Sequence, residues 1–482
     1  MKDKLKKVFT LKNVSLFIKG LFLISIIVLF TILFKTKIIP TKYIIELLII
    51  LVLINLIFIL VDIKFNRKKV LVIILDILSI IFIVILNFAT VKLIETDSFF
   101  NKITSNNKVE ISNYYVVINK DSNYEKLRDI KNKNIKILKS ESNYKEVKEK
   151  LNSKVKINFD DEEELTNLGN YLLESKDNLI IVSDANYDLL DENIENFKES
   201  TKILYKLSIE SVLEDISKDK KVTKEPFNIY ISGIDTYGKI STKARSDVNI
   251  IMTINPVTKK ILLTSIPRDY YVQLHGTTGY KDKLTHAGVY GINMSVQTIE
   301  DLLDIDINYY LRVNFNTLID VVDELDGIEI YSDSSFTPWT NQSCKFQKGT
   351  QKVDGKCALA FARERHAYNS GDRHRGENQQ QVITALINKA TTSKKVITNY
   401  SNILNALDGS FQTNLSTEEI YALINMQIDD MTSWSVESIS LNGYDSSNYT
   451  YSYGSQKLYV MEPNYETVKT AQDKIANYLE WI

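Results

Sequence analysis

Three apolar runs in the first hundred residues constrain this chain more than any other feature. They span about Val14–Phe34, Tyr43–Val61 and Val70–Val91. Each is about 20 residues long, the length a helix needs to cross a hydrocarbon core, and a helix satisfies its own backbone in lipid. The chain is therefore predicted to cross a membrane three times. Lys19, near the start of the first run, is expected to snorkel to the interface, and Glu46 lies near an end of the second. Asp76 is deeper in the third, and its simplest role is to face a neighbouring helix or the interface.

Lysine placement sets the orientation. Lys2, Lys4, Lys6, Lys7 and Lys12 precede the first run, and Lys64, Arg67, Lys68 and Lys69 separate the second from the third. Lys35, Lys37 and Lys42 lie between the first and second. Positive charge favours the cytoplasmic side, so the N-terminus is predicted inside and everything after about Lys92 outside. Three consecutive spans without a small-residue cleavage site do not suit a cleaved signal peptide. Disulfides persist outside the cell, and Cys344 and Cys357 are predicted to form one; two reduced core residues would be the alternative.

The exported part changes character along its length. Residues 97–225 are rich in Lys, Asn and Glu, with short apolar strands at Tyr114–Ile118, Ile135–Leu138 and Asn178–Val182. Amphipathic stretches at Asn143–Leu151 and Glu162–Glu174 alternate with them, which predicts a small α/β domain. No chemistry is legible there, and Ser217–Pro226 reads as a linker. Beyond it, Asn228–Asp235, Val248–Asn255 and Lys260–Asp269 read as central strands. Helices are predicted at Val289–Leu303, Phe315–Leu325 and Gly376–Ala390, with a strand at Gly327–Tyr331.

Arginine marks the place where chemistry concentrates. The sequence holds nine arginines against fifty lysines, and seven of the nine lie between Arg245 and Arg375. Arg363, Arg365, Arg373 and Arg375 fall within thirteen residues. A merely solvated basic face in such a chain would be made of Lys; Arg offers planar, bidentate recognition of phosphate or carboxylate. Asp235, Asp247 and Asp269 sit with Arg245 and Arg268 at strand ends and adjoining loops, where α/β folds build sites. A structural ion-pair network would use equal numbers of each sign, whereas surplus Arg asks for an anionic ligand. Arg would hold phosphoryl oxygens, and Asp would hold Mg²⁺ or act as a base. His275, His286, His366 and His374 show no metal-ligand spacing, and the net charge of -1 argues against binding nucleic acid by bulk electrostatics. His286 reads as a satisfied histidine, with Lys283 able to reach a phosphate, and Arg312 as a structural arginine.

The ordered set Gly233-Ile-Asp235, Arg245-Ser-Asp-Val-Asn-Ile-Ile-Met-Thr-Ile-Asn-Pro256, Ser265-Ile-Pro-Arg-Asp269, Lys283-Leu-Thr-His-Ala-Gly288, Tyr310-Leu-Arg-Val-Asn-Phe315, Val321–Glu329, Ala362-Arg-Glu-Arg365 and Asp372–Gln380 closely resembles the LytR–CpsA–Psr family. The likeness covers about Pro226–Thr392, and the three spans with a domain before the motifs look like the streptococcal capsule-type members. It implies a membrane anchor at 1–96, an extracellular accessory domain and linker at 97–225, a catalytic domain at 226–392, and a C-terminal part at 393–482 packed on or extending it. It implies an α/β/α catalytic fold whose central sheet encloses an apolar, polyprenyl-binding core. It also implies transfer of capsular polysaccharide or a related anionic wall polymer from an undecaprenyl-pyrophosphate carrier to peptidoglycan, with Mg²⁺ or Mn²⁺.

By the same resemblance, Asp235 and Asp247 match the acidic, metal-associated positions. Arg245, Arg268, Arg363, Arg365 and Arg375 match those holding the pyrophosphate, with Arg373 a further candidate and Lys283 and Asp372 around the head group. Asp235, Asp247, Arg268 and Arg365 are the expected catalytic set. Detaching a glycan from lipid pyrophosphate builds charge on the departing oxygens, which Arg and Mg²⁺ stabilise, while Asp235 or Asp247 takes the acceptor's proton. The cysteine pair is not part of the family pattern. A hydrolase would release polymer from the same site. A regulator needs a cytoplasmic DNA-contacting part that the short predicted inside segments do not provide, and a non-catalytic wall-binding module does not need the surplus Arg.

Overall fold

The protein is described by a computed structural model over residues 11–64, 68–105, 109–234, 240–368, 371–392, 400–430 and 432–480. It divides into two compact units, Met1–Lys102 with Ser416–Thr432, and Ile103–Leu415 with Ser433–Ile482.

The first unit is a helical bundle. Helices α1 (Leu11–Thr36), α2 (Thr41–Lys64) and α3 (Lys69–Ser105) carry the three apolar runs. Phe22, Ile26, Phe30 and Leu33 of α1 pack with Ile44 and Leu51 of α2 and Leu86 of α3, while most other apolar side chains point outward, as lipid-facing helices require. The third helix does not stop near Val91; it continues through Lys92, Glu95 and Thr96, making about 55 Å of helix. Lys19 does not snorkel. It is fully buried, its Nζ 2.6 Å from Asp76 Oδ1 and 2.5 Å from Asp62 Oδ2, with Ser15 Oγ 2.5 Å from Asp62 and 2.6 Å from Asp76. Burial of an ammonium costs several kcal/mol unless it is paired, and two carboxylates pair it here. A helix from far along the chain, Thr417–Asp430, also belongs to this unit. Its Tyr421 hydroxyl donates to Asp97 (3.1 Å) and packs edge-on against Phe100; Asn425 donates to Lys37 O (2.8 Å), and Asp429 pairs with Lys42 (3.0 Å).

The second unit contains two sheets. The accessory sheet has the order β3-β2-β4-β1-β5, built from β1 (Val109–Asn119), β2 (Asn134–Leu138), β3 (Asn158–Glu162), β4 (Leu179–Ser183) and β5 (Thr201–Val212). Between them run α4 (Tyr144–Asn152), α5 (Leu165–Glu174) and α6 (Asp184–Asn193). Its last strand leads through residues 213–226 into the central sheet.

The central sheet begins with β6 (Phe227–Ile234), β7 (Val248–Asn255) and β8 (Lys260–Ser265). Every residue of β6 is buried, the pattern of a strand covered on both faces. Next come α7 (Leu284–Tyr290), α8 (Ile292–Leu303), β9 (Tyr309–Asn314) and α9 (Phe315–Glu324), then the hairpin of β10 (Ile328–Ser332) and β11 (Gly349–Val353). Helices α10 (Gly355–Arg363) and α11 (Asp372–Thr392) follow, then β12 (Phe411–Thr413) and β13 (Ser435–Ser440). The six-stranded order is β12-β9-β6-β7-β8-β13. The stretch after residue 393 thus supplies both edges of the sheet. The chain ends in a second hairpin, β14 (Gly443–Thr450) with β15 (Gly454–Pro463), and α12 (Tyr465–Leu479).

Strand alternation separates the two faces. Tyr230, Ile251 and Leu262 point into a core with Ile292, Val296 and Ile299 of α8 and Ala471 and Ile475 of α12. On the opposite face Ser265 meets α11, where a Cβ on Gly376 would lie 2.9 Å from Ser265 Oγ. Gln380 of α11 donates to Leu263 O of β8 (3.1 Å) and Ile439 O of β13 (2.6 Å). The layers are therefore helix, sheet, helix. The helix predicted at Val289–Leu303 is two helices broken at Gly291, whose φ of 120 suits glycine and whose absent side chain leaves room for Glu110. Glu110 accepts from Ile292 N (3.1 Å) at the start of α8 and pairs with buried Arg312 (3.3 Å), fastening the accessory sheet to the central one.

Candidate active site

Arg245 and Asp247 lie just before β7, and Arg268 lies just after β8. Asp247 N donates to Gly233 O (2.8 Å), which fixes its loop on the end of β6. Gly288 of α7 permits the next contact: a Cβ there would come within 2.4 Å of Ala244 O and 2.9 Å of Ser246 N. Ser246 N then donates to Thr285 O, and Thr285 N to Arg268 O. Asp247 Oδ1 receives Arg268 Nη1 at 2.7 Å and Thr285 Oγ1 at 3.3 Å. Asp269 takes Lys283 Nζ at 3.1 Å. Burial pushes the Asp269 carboxyl up, but Lys283 and then Arg268 outweigh it and hold the group below the usual carboxylate value. His286 is buried against Asp282 (2.6 Å), a satisfied histidine inside the fold.

Helices α10 and α11 supply the other wall. Asn378 and Gln379 of α11 donate to Phe361 O (3.0 Å) and Ala362 O (3.4 Å), holding the end of α10 beside them. A cleft of about 310 Å³ opens between the walls, lined by Arg245, Asp247, Arg268, Arg363, Arg365 and Arg375, with Glu364, His366, Gln379, Trp339 and Thr340. Among these described residues five arginines face two carboxylates. Glu364 is buried and accepts from the N–H groups of Trp339 (2.7 Å), His366 (2.5 Å) and Ala367 (2.9 Å). It shapes the arginine loop through the backbone. Arginine thus outnumbers carboxylate among the described lining residues, a composition that suits an anion of matching size.

The structure brings five of the sequence-predicted arginines together. Arg373 is exposed and lines an adjoining depression with Arg268, Asp247 and Arg375. Lys283 stands behind Arg268, on Asp269. Asp235 and the side chain of Asp372 lie outside the described residues. Cys344 and Cys357 form a disulfide with Cα atoms 5.5 Å apart, tying the loop that carries Trp339 to α10. Sequence reasoning missed Glu364, Gln379, Trp339 and, above all, Glu192. Glu192, on accessory helix α6, forms an ion pair with Arg245, so the region in which no chemistry was legible reaches the cleft wall. The Asp372–Gln380 motif already contained Gln379; nothing in the sequence pointed to Glu192.

The LytR_cpsA_psr family profile matches residues 192–474. The chain belongs to the LytR–CpsA–Psr family. The match extends well beyond 226–392 on both sides: it begins at Glu192 itself and takes in β13 and the second hairpin. Among curated members, the polyisoprenyl-teichoic acid–peptidoglycan teichoic acid transferase TagT of Bacillus subtilis is 37% identical over 248 residues, 49% of this chain and 74% of its own length. TagU of Bacillus licheniformis, of the same description, is 33% identical over 44% of this chain and 70% of its own. Among solved structures, TagT bound to LI-WTA has a TM-score of 0.45 at 30% identity, covering 54% of this chain and 94% of that one. The corresponding figures for Bacillus subtilis TagV are 0.45, 31%, 54% and 99%.

In this LytR–CpsA–Psr chain no group of three or more metal-ligating side chains occurs among the described residues. Mg²⁺ in phosphate sites needs one or two carboxylates and takes its remaining oxygens from phosphate and water, so Asp247 at the cleft wall fits such a role.

Proposed function

We propose that this protein is a membrane-anchored phosphotransferase that moves a glycopolymer from a polyisoprenyl-pyrophosphate carrier onto peptidoglycan. The polymer is a capsular polysaccharide or a related anionic wall polymer, and the soluble unit works outside the cell. The arginine cleft carries this reading. Five guanidinium groups around about 310 Å³ suit a pyrophosphate, whose oxygens accept paired N–H donors. The relatives named as teichoic acid transferases support the reaction class. The lysine bias and the Cys344–Cys357 bridge support the orientation.

In the reaction an acceptor hydroxyl on the wall attacks the phosphorus nearer the glycan. The anhydride P–O bond breaks, the lipid leaves as its monophosphate, and the hydroxyl proton passes to a carboxylate. Arg268, Arg363, Arg365 and Arg375 stabilise the charge that grows on the departing oxygens. Arg268 also holds Asp247 in position (2.7 Å). Asp247 and Asp235 are the pair from which the base is drawn, and Mg²⁺ held there would supply further charge stabilisation on phosphate oxygens.

The test uses the full-length protein extracted from membranes, incubated with polyprenyl-pyrophosphate-linked glycan, Mg²⁺ and peptidoglycan. Polymer phosphate bound covalently to the wall, abolished by Arg365→Ala, is the expected result. Polymer released free into solution would make the enzyme a hydrolase. No turnover, with no lipid pyrophosphate bound, would remove the reading.

A further inference from the structure

The cleft has an aromatic corner that the pyrophosphate chemistry does not use. Trp339 and His366 both line it, with ring centroids 5.5 Å apart and planes tilted by 44°. One buried carboxylate sets both residues. Glu364 Oε2 accepts the Trp339 N–H at 2.7 Å, and its Oε1 accepts the His366 N–H at 2.5 Å. Glu364 stands between Arg363 and Arg365 in the chain, so the corner is fixed by the same short segment that carries two of the cleft arginines.

The loop that carries Trp339 is pinned from two further directions. Phe336 and Phe346 exchange backbone hydrogen bonds across it (3.1 and 2.9 Å), their rings stack at 4.9 Å, and Phe346 packs on Phe361 of α10 at 5.2 Å. The Cys344–Cys357 bridge adds a covalent tie to the same helix. Yet the indole borne on this backbone is 72% exposed. Scattered exposed apolar side chains are ordinary and need no account. This one lines an anion cleft on a backbone held by a buried carboxylate, an aromatic stack and a disulfide. Such a ring is pre-organised, and a ligand that lies on it orders little more.

We propose that Trp339, with His366 beside it, is an acceptor-side specificity contact: the indole stacks on the apolar face of the peptidoglycan sugar whose hydroxyl attacks. The inference rests on the transferase reading. The donor brings its own anionic handle, the pyrophosphate that the guanidinium groups hold. The attacking hydroxyl is neutral, so the arginines give its sugar no comparable hold, and neutral contacts must position it. A pyranose ring has an apolar C–H face and a polar rim. Indole supplies a broad apolar face, and Thr340, also in the lining, supplies a hydroxyl for the rim. A cleft of about 310 Å³ admits the reacting hydroxyl rather than a glycan strand, so the strand lies over its mouth, where the exposed indole can meet it.

The experiment measures initial rates of transfer by the full-length protein in detergent with Mg²⁺. Polyprenyl-pyrophosphate-linked glycan is held fixed, soluble uncrosslinked peptidoglycan strands are varied, and binding of the donor lipid is measured separately. Trp339→Ala is expected to raise the KM for the strands about three- to tenfold, the range for one aromatic contact, with kcat and donor affinity changed less than about twofold. Trp339→Phe should recover most of the loss, because stacking needs a ring. An unchanged KM in Trp339→Ala would overturn the proposal. Weakened donor binding, or a fall in kcat alone, would also overturn it while leaving the transferase reading standing. A wild-type protein that neither transfers polymer nor binds the donor lipid would overturn both readings.

Discussion

The Lys19 cluster of the helical bundle and the arginine cleft of the second unit are built from the same kinds of ion in opposite proportion. In the bundle one ammonium meets two carboxylates, all mostly buried. In the cleft five guanidinium groups meet two carboxylates among the described lining residues, and one of those, Glu364, accepts from three backbone N–H groups. A cation satisfied inside a fold is a fastening. A lining in which arginine outnumbers carboxylate suits an anionic ligand. The same chain shows both outcomes, and arginine serves in both, since Arg312 fastens Glu110 inside the fold while the cleft gathers five guanidinium groups.

The largest expected effect breaks the cleft. Arg268→Ala should lower polymer transfer by at least about a hundredfold, with the melting temperature changed little, since the charge it stabilises appears in the transition state. Arg268→Lys should recover less than about a tenth of the activity if the contact is bidentate. Wild-type transfer in either variant, read as wall-bound phosphate, would contradict the assignment. Next, Lys19→Met leaves Asp62 and Asp76 buried without their cation. A loss of about 3–5 kcal/mol of bundle stability is expected, seen as earlier thermal aggregation in detergent, with no change in the activity of the protein that remains folded. An Asp62→Asn/Asp76→Asn pair added to it should restore much of the loss.

Asp184 sharpens the comparison, because it is a half-buried carboxylate whose nearest partners are an amide and a backbone N–H. Asn113 donates to it at 3.1 Å and Ala185 N at 3.0 Å. Burial pushes its carboxyl up to about 6. The folded state therefore holds a proton that the unfolded state has lost between pH of about 4 and 6. Stability from this group falls as pH rises through that window, by about 3 kcal/mol in all. Asp184→Asn should flatten this part of the stability profile in urea titrations at several pH values; an unchanged profile would show that the group is ordinary. The smallest effect belongs to Glu192. Its removal by Glu192→Ala takes a negative charge from beside Arg245 and should tighten lipid pyrophosphate about two- to fivefold at low salt. The gain should disappear in an Arg245→Ala background, and an equal gain in that background would show that Glu192 does not act through Arg245.

Features written in local pattern were legible in the sequence. The runs that became β6, β7 and β8 are continuous and apolar, and the scarcity of arginine elsewhere singled out Arg245, Arg268, Arg363, Arg365 and Arg375 before any geometry was known. Features made by tertiary packing were not. The break at Gly291 depends on Glu110, more than a hundred residues earlier, occupying the space a side chain would need. The continuation of α3 to Ser105 follows a stretch too polar for a span but adequate for a helix. The helix Thr417–Asp430 gives no sign in its own composition that it belongs with the apolar bundle. Glu192 could be matched to Arg245 only once two domains were packed together.

Gln380 has a consequence in time. Its amide bonds both Leu263 of β8 and Ile439 of β13, so the helix bearing Arg373 and Arg375 is tied to a strand that leaves the ribosome after it. A nascent chain can expose every arginine of the cleft and still lack the strand that fixes their scaffold. The scaffold of Arg373 and Arg375 is thus completed only by residues that follow them in the sequence.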